Sequence, residues 1–299
     1  MLSGAPVIWV FHDVTDPHWF RQRIDAITSA RDVVKLADLA REPRRTGTCA
    51  ITFDDGWRSL WTVAHPLLSA ESIPYTVFVC TDMLVGGPVP WFVRAQRLIA
   101  RLGREHLVQA WDLPKHQIAT RHDLMEVLKT MPLPALLSGI AQLELDCGQI
   151  PPEPSDLFLT ADQVGALAQS GADVGSHTHR HAILSRLNDQ EQQREIDESV
   201  RVVETVTGRK PTQFAYPNGR PCDFDERAVT ALRETGIEVA VTTTQRYLRA
   251  TEDVLRLPRV GLSDGESALH TNAKQLALSL SRSRNTWLDR RPWSSASAS

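Results

Sequence analysis

The chain alternates short apolar segments with longer segments of helical periodicity, and a polar or glycine-containing turn separates the two. Apolar runs that alternate with helices are typical of strands in a parallel sheet, which is covered on both faces. Seven segments have this character: residues 7–11, 49–53, 75–79, 173–175, 213–216, 238–241 and 255–260. The pattern predicts an α/β fold, and seven or eight such strand–helix units can close into a barrel.

Capping boxes mark two helix starts in the second half of the chain. Thr160 is followed by Gln163, and Asn188 by Glu191, so that each pair can satisfy free backbone N–H groups at a helix N-terminus. Gly208 is expected to end the second of these helices. Its buried face is predicted from the spacing of three apolar residues, which are Ile196, Val200 and Val203.

The alternation stops between about residues 85 and 159, where helical segments continue without a strand and end in a proline cluster at 151–154. We interpret the chain as one domain over residues 1–299, with a helical insertion at about 85–159 and a flexible tail at about 285–299. The insertion is expected to shape a substrate cleft, to form a dimer contact, or to be a cap without a function. The sequence leaves these alternatives and the oligomeric state open.

Charge and hydropathy narrow the range of partners. The chain has 33 Lys and Arg against 36 Asp and Glu, a formal net charge of −3, and no basic run. Nucleic acid is therefore not an expected partner. No stretch approaches the roughly 18 apolar residues of a membrane span, and the amino terminus lacks the features of a signal peptide. We expect a cytoplasmic protein without a membrane span.

The first candidate catalytic motif is a pair of carboxylates, Asp54 and Asp55, directly after the predicted strand at 49–53. Acids at a strand end lie where the loops of an α/β barrel gather. Adjacent residues of a strand point to opposite sides, but a turn at its end can bring both carboxylates to one centre. The alternative is an Asp-Gly turn that only caps a helix.

The second motif places three histidines within five positions, after the predicted strand at 173–175. His177 and His181 are spaced i, i+4, which would put both imidazoles on one face of a helical turn, as in a metal site. His179 would then face away. The alternative is a surface histidine cluster without a ligand.

Together, one carboxylate and two imidazoles form a site for one divalent ion with open positions, and a second carboxylate beside it can act as a base. A bound ion lowers the pKa of its water, so this combination is typical of a hydrolase. Zn²⁺ is the expected ion, although Co²⁺, Ni²⁺, Mn²⁺ and Fe²⁺ also suit these ligands.

Three motifs in order resemble the polysaccharide deacetylase superfamily, carbohydrate esterase family four. They are Thr-Phe-Asp-Asp-Gly at 52–56, His-x-x-x-His at 177–181 and Phe-Ala-Tyr-Pro-Asn-Gly at 214–219. The resemblance covers nearly the whole chain except the insertion. It implies a distorted (β/α)7-type barrel and a metal-dependent enzyme that removes N- or O-acetyl groups from an acetylated carbohydrate.

Carried over to this sequence, the resemblance implies that Asp54 is the general base and that Asp55, His177 and His181 bind the metal. It also implies that the residue after the proline of the third motif, Asn218, donates its backbone N–H to the oxyanion. We assign contacts with the substrate to four further residues: Trp57, Tyr216, Pro217 and Arg259.

The sequence departs from the family pattern at two points. Ala215 stands where the family has an Arg that orients the base, and Arg256 and Arg259 are the candidates to replace it. The family's late general-acid His is missing, since His270 follows only in a predicted helix. His12, at the end of the first predicted strand, resembles the acid of the branch with an amino-terminal catalytic His, and an imidazole can donate a proton near neutral pH.

The leading hypothesis is a metal-dependent deacetylase acting on an N-acetylated sugar. Two alternatives stay open, because small non-sugar amides are also hydrolysed within the superfamily and because a member without activity could bind carbohydrate or a partner in the same cleft.

Overall fold

A parallel, curled β-sheet forms the centre of the computed structural model, which describes residues 4–148 and 157–262. Within these residues the strands lie in the order β7-β6-β5-β4-β3-β1-β8, and β2 pairs with β3 outside this path. Their bounds are β1 Val7–Phe11, β2 Asp32–Val33, β3 Thr48–Phe53, β4 Thr76–Val79, β5 Asp173–Ser176, β6 Gln213–Ala215, β7 Val239–Val241 and β8 Val260–Gly261.

One short segment connects the two edges of this sheet. Leu257 forms a parallel bridge with Val241 of β7, and three residues later Val260 pairs with Trp9 of β1. The sheet therefore curls into a distorted (β/α)7-type barrel, as predicted. Every strand pairs in parallel, so the carboxyl ends of the strands share one rim.

The helices pack around the barrel or form the insertion. Their bounds are α1 Pro17–Ala30, α2 Leu36–Arg41, α3 His65–Ala70, α4 Trp91–Leu102, α5 Arg104–Ala110, α6 Arg121–Leu128, α7 Leu133–Asp146, α8 Ala161–Gln169, α9 Asp189–Thr207 and α10 Glu226–Thr235. A π-helical turn, Leu60–Ala64, leads into α3. No helix among the residues placed by the structure has the length and apolarity that crossing a bilayer requires.

Most predicted boundaries are confirmed. Both capping boxes form, and in each the side chain and the backbone exchange hydrogen bonds. Gly208 ends α9 with a φ of +72°, and the three apolar residues of its predicted face are buried.

The last predicted strand, 255–260, is mostly wrong. Only Val260–Gly261 forms a strand, and Leu257 contributes an isolated bridge. Pro258 has no backbone N–H, so it interrupts the ladder between these two contacts. The prediction also missed β2, whose two residues are too few to show a periodicity.

The insertion contains helices α4 to α7 and no strand within its described residues. It shares a hydrophobic cluster with the barrel, in which Leu98, Leu124 and Ile140 of the insertion pack with Ile196 and Phe214. The proline cluster at 151–154, the predicted tail at about 285–299 and His270 lie outside the described residues.

Candidate active site

The carboxyl ends of β3 and β5 bring the two sequence motifs together. Asp54 and Asp55 directly follow β3, and His177 directly follows β5. The backbone of Asp55 has a φ of +69°, in the left-handed region. This turn directs the Asp55 carboxylate towards the histidines while Asp54 remains beside them, which is the convergence that the sequence suggested.

The histidine segment differs from its prediction, because residues 177–181 form a loop and not a helical turn. Thr178 has a φ of +61° and His181 a φ of +54°. A residue other than glycine in this region costs roughly 1 kcal/mol or more, and such strain is concentrated at functional sites. The loop still places His177 and His181 together, with ring centroids 5.0 Å apart.

Three ligand atoms meet in one cluster. The Nε2 atoms of His177 and His181 each lie 3.4 Å from Oδ1 of Asp55. All three atoms are within 4.8 Å of one another. Two ligands about 2 Å from one tetrahedral Zn²⁺ lie about 3.3 Å apart. Oδ1 of Asp55 is also buried, with no hydrogen-bond partner in the described part of the chain, so the donor set fits a divalent ion.

The environment favours a neutral His181 and an ionised Asp55, as a metal site needs. Burial lowers the pKa of His177, but the charges of Asp54 and Asp55 outweigh it and raise the pKa above its usual value. Burial lowers the pKa of His181 to about 3, which keeps its imidazole neutral. Burial raises the pKa of Asp55, but the adjacent imidazoles of His177 and His181 reverse this effect, so its pKa lies below the usual value. A carbonyl oxygen can only accept, so Nδ1 of His177 donates to the Ala215 carbonyl, 2.7 Å away, and in the neutral imidazole Nε2 is left available to a metal ion.

A buried ion pair fixes Asp54. The Arg259 guanidinium donates to both carboxylate oxygens of Asp54, at 2.7 and 2.6 Å, and the two side chains are only 0% and 2% exposed. Burial raises the pKa of Asp54, but Arg259 and the nearby His177 outweigh it and hold the pKa below its usual value. Asp54 is therefore ionised and oriented.

This ion pair identifies the cation that takes the place of the Arg missing at position 215, where the chain has Ala215. Of the two candidate cations, Arg259 reaches Asp54, whereas Arg256 pairs with Glu226 and Asp253. Arg259 also donates from Nε to the Thr242 carbonyl, at 2.9 Å. Arg259 was expected to contact the substrate, but its buried guanidinium binds the Asp54 carboxylate instead.

His12 lies beside this carboxylate at the end of β1. Its Nε2 atom is 3.9 Å from Oδ2 of Asp54, and the side chain is 36% exposed. His12 is therefore accessible from solvent while it stays close to the residues at the other strand ends.

The loop after β6 is held in a tight turn. Asn218 has a φ of +61° and Gly219 a φ of +63°. The side-chain amide of Asn218 donates to Oδ2 of Asp223. The backbone carbonyl of Asn218 accepts from the Thr243 hydroxyl at 2.7 Å. Asp223, which is buried, also accepts from the backbone and side chain of Arg220. No motif in the sequence pointed to Asp223.

The predicted substrate contacts separate into two groups. Trp57 is half-buried, donates from Nε1 to Oδ2 of Asp55 at 3.1 Å, and stacks on Phe158. Tyr216 is enclosed, and its hydroxyl donates to the Leu255 carbonyl at 2.9 Å, while its neighbour Pro217 is buried too. The burial of Tyr216 and Pro217 leaves their side chains little surface for a substrate.

His179 points away from the cluster, although the helical turn from which this orientation was predicted does not form. Its Nδ1 atom lies 2.9 Å from the Thr81 hydroxyl, and its Nε2 atom lies 3.5 Å from Oδ1 of Asp82. It is not a member of the Asp55, His177 and His181 group.

The structure combines a (β/α)7-type barrel with a carboxylate pair and two imidazoles at its rim, an arrangement that is typical of hydrolases. The family model for polysaccharide deacetylase matches residues 41–240, or 200 of the 299 residues, and the chain belongs to this family.

A curated relative agrees with this assignment. YxkH of Bacillus subtilis strain 168, which carries the same family name, is 32% identical over 109 residues. That match covers 36% of this chain and 38% of YxkH, so it spans well under half of the relative.

Two solved structures share the fold. The Streptococcus pyogenes deacetylase PplD, in complex with acetate, has a TM-score of 0.60 at 15% identity, covering 92% of this chain and 98% of PplD. IcaB from Ammonifex degensii has a TM-score of 0.58 at 17% identity, covering 91% of this chain and 97% of IcaB.

Proposed function

We propose that this protein is a metal-dependent hydrolase that removes N-acetyl groups from an N-acetylated sugar or glycan. The observation that carries the proposal is the placement of Asp54, locked by Arg259, next to the ligand group formed by Asp55, His177 and His181. Membership of the polysaccharide deacetylase family supports the same class of substrate.

Asp55, His177 and His181 would hold the ion, and Zn²⁺ is the ion we propose for two imidazoles and one carboxylate. When bound, the ion supplies Lewis acidity at the acetyl carbonyl and makes water a stronger acid. The role of Asp54 is to accept a proton from the attacking water, because its carboxylate is ionised and Arg259 prevents it from turning away.

The other site residues act on the two ends of the scissile amide. The backbone N–H of Asn218 is proposed to donate to the oxyanion, and the turn held by Asp223 fixes its direction. His12, the accessible imidazole next to Asp54, is proposed to protonate the departing amine. Trp57 lies half-buried beside Asp55, where its ring can face a sugar.

The direct test of this proposal measures acetate released from N-acetylglucosamine and from its β-1,4-linked oligomers. We expect acetate from the protein loaded with Zn²⁺, loss of the reaction with a chelator, and recovery when the ion is added back. Comparing the monomer with the oligomers separates a small substrate from a polymer.

Two results would contradict the proposal. Acetate release from simple acetamides, with none from any sugar, would indicate an amidase for small amides. Calorimetric binding of the oligomers, with no acetate released in the presence of any of the five candidate ions, would indicate a carbohydrate-binding member without activity.

A further inference from the structure

The start of the insertion touches a ligand of the proposed metal site. Trp91 is the first residue of α4, and its Nε1 atom donates to the backbone carbonyl of His181, at 3.2 Å. The neighbouring Phe92 meets the His181 imidazole edge to face, with ring centroids 4.8 Å apart. One end of α4 therefore contacts both the backbone and the ring of His181.

The end of the insertion contacts the loop that carries the carboxylates. Trp57 and Phe158 form an antiparallel bridge, in which Arg58 N–H donates to the Leu157 carbonyl and Leu159 N–H donates to the Gly56 carbonyl. These hydrogen bonds measure 2.9 and 2.8 Å. The loop is thereby fixed directly after Asp55.

A third contact reaches the loop after β6. Glu126 of α6 accepts from the Arg220 guanidinium at 2.6 Å, and the same guanidinium donates to Asp223, which holds Asn218. The insertion thus contacts three of the loops that carry proposed site residues, namely those after β3, β5 and β6.

We propose that the insertion is a positioning element of the metal centre, and that Trp91 is the residue that positions His181. This inference rests on the proposed metal site. His181 occupies the left-handed region, which is uncommon for residues other than glycine. The hydrogen bond from Trp91 holds its carbonyl in that conformation, and Phe92 restricts the ring. A cap without a function would leave the affinity for the ion unchanged when these contacts are removed.

The experiment compares Trp91→Phe with Trp111→Phe, and measures Zn²⁺ affinity by calorimetry. The first change removes the indole N–H and retains an aromatic ring. The second makes the same substitution elsewhere in the insertion, where Trp111 packs beside Gly139 of α7. We expect Trp91→Phe to weaken Zn²⁺ binding on the order of tenfold, as loss of a group that orients a ligand does. Trp111→Phe should bind like the unmodified protein.

The visible absorption of the Co²⁺-loaded protein gives a second readout, because it reports the geometry of the ligands and not the stability of the fold. We expect the bands to shift in Trp91→Phe and to stay unchanged in Trp111→Phe. If Trp91→Phe does not fold, Phe92→Leu removes the edge contact from a half-buried position, and it should bind Zn²⁺ more weakly than the control.

The outcomes separate this inference from the proposed function. Equal Zn²⁺ affinity and equal Co²⁺ bands in the site variants and in Trp111→Phe would overturn the positioning role while the metal site stands. Absence of Zn²⁺ binding in the unmodified protein would overturn the metal site, and the inference with it.

Discussion

Asp54→Asn should lower kcat for acetate release by about three orders of magnitude, because an amide cannot accept the proton of the attacking water. The substitution keeps the size of the side chain, and its remaining oxygen can still accept from Arg259. The proposed ion ligands are Asp55, His177 and His181, so the affinity for Zn²⁺ should change little. Initial rates and calorimetric titration of the same samples measure both quantities.

A matched control for this variant is Asp38→Asn, at an exposed position of α2. It should keep the unmodified kcat. An Asp54→Asn protein with the unmodified kcat would remove Asp54 from the chemistry, and a loss of Zn²⁺ binding in that variant would mean that Asp54 is itself a ligand.

Arg259→Met should destabilise the protein by about 3–5 kcal/mol at pH 7, because it leaves the Asp54 carboxylate buried without its partner. Burial raises the pKa of Asp54, and in the variant one cation fewer opposes this effect. The acidic limb of the pH–rate profile should consequently move to higher pH. Urea unfolding and the pH dependence of kcat measure the two effects.

The sign of the pH effect on stability follows from the lowered pKa of Asp54 in the folded protein. The ion pair contributes its full stability above the unfolded pKa of an aspartate, about 4, and loses it as the pH falls through the lower folded value. The difference between Arg259→Met and the unmodified protein should therefore shrink in strong acid.

Arg256→Met is the control, since this residue was the other candidate cation and its guanidinium is partly exposed against Glu226. It should leave the acidic limb in place and change the stability little. A shift of the limb in Arg256→Met, and none in Arg259→Met, would contradict the assignment of the base's partner.

The elements with a strong local pattern were predictable. The first strand, Val7–Phe11, has the predicted bounds, and the capping boxes located the starts of α8 and α9. The prediction of the last strand failed because Pro258 interrupts the strand, and because Trp9, the partner of Val260, lies 251 positions away in the sequence.

The candidate ligand residues could be picked out from their spacing, but the geometry that brings them together could not. An i, i+4 pair of histidines suggested a helical turn, whereas His181 reaches Asp55 through a loop with two left-handed residues. One of the contacts to this loop, the hydrogen bond from Trp91 to the His181 carbonyl, comes from 90 positions earlier. Likewise, the choice between Arg256 and Arg259 depends on which one folds against Asp54, 205 positions away.

The location of the ion tests the central claim most directly. Diffraction from crystals grown with Zn²⁺, recorded at the zinc absorption edge, should give an anomalous peak between Oδ1 of Asp55 and the Nε2 atoms of His177 and His181. A protein that binds Zn²⁺ only elsewhere, with no peak among these three atoms, would contradict the account.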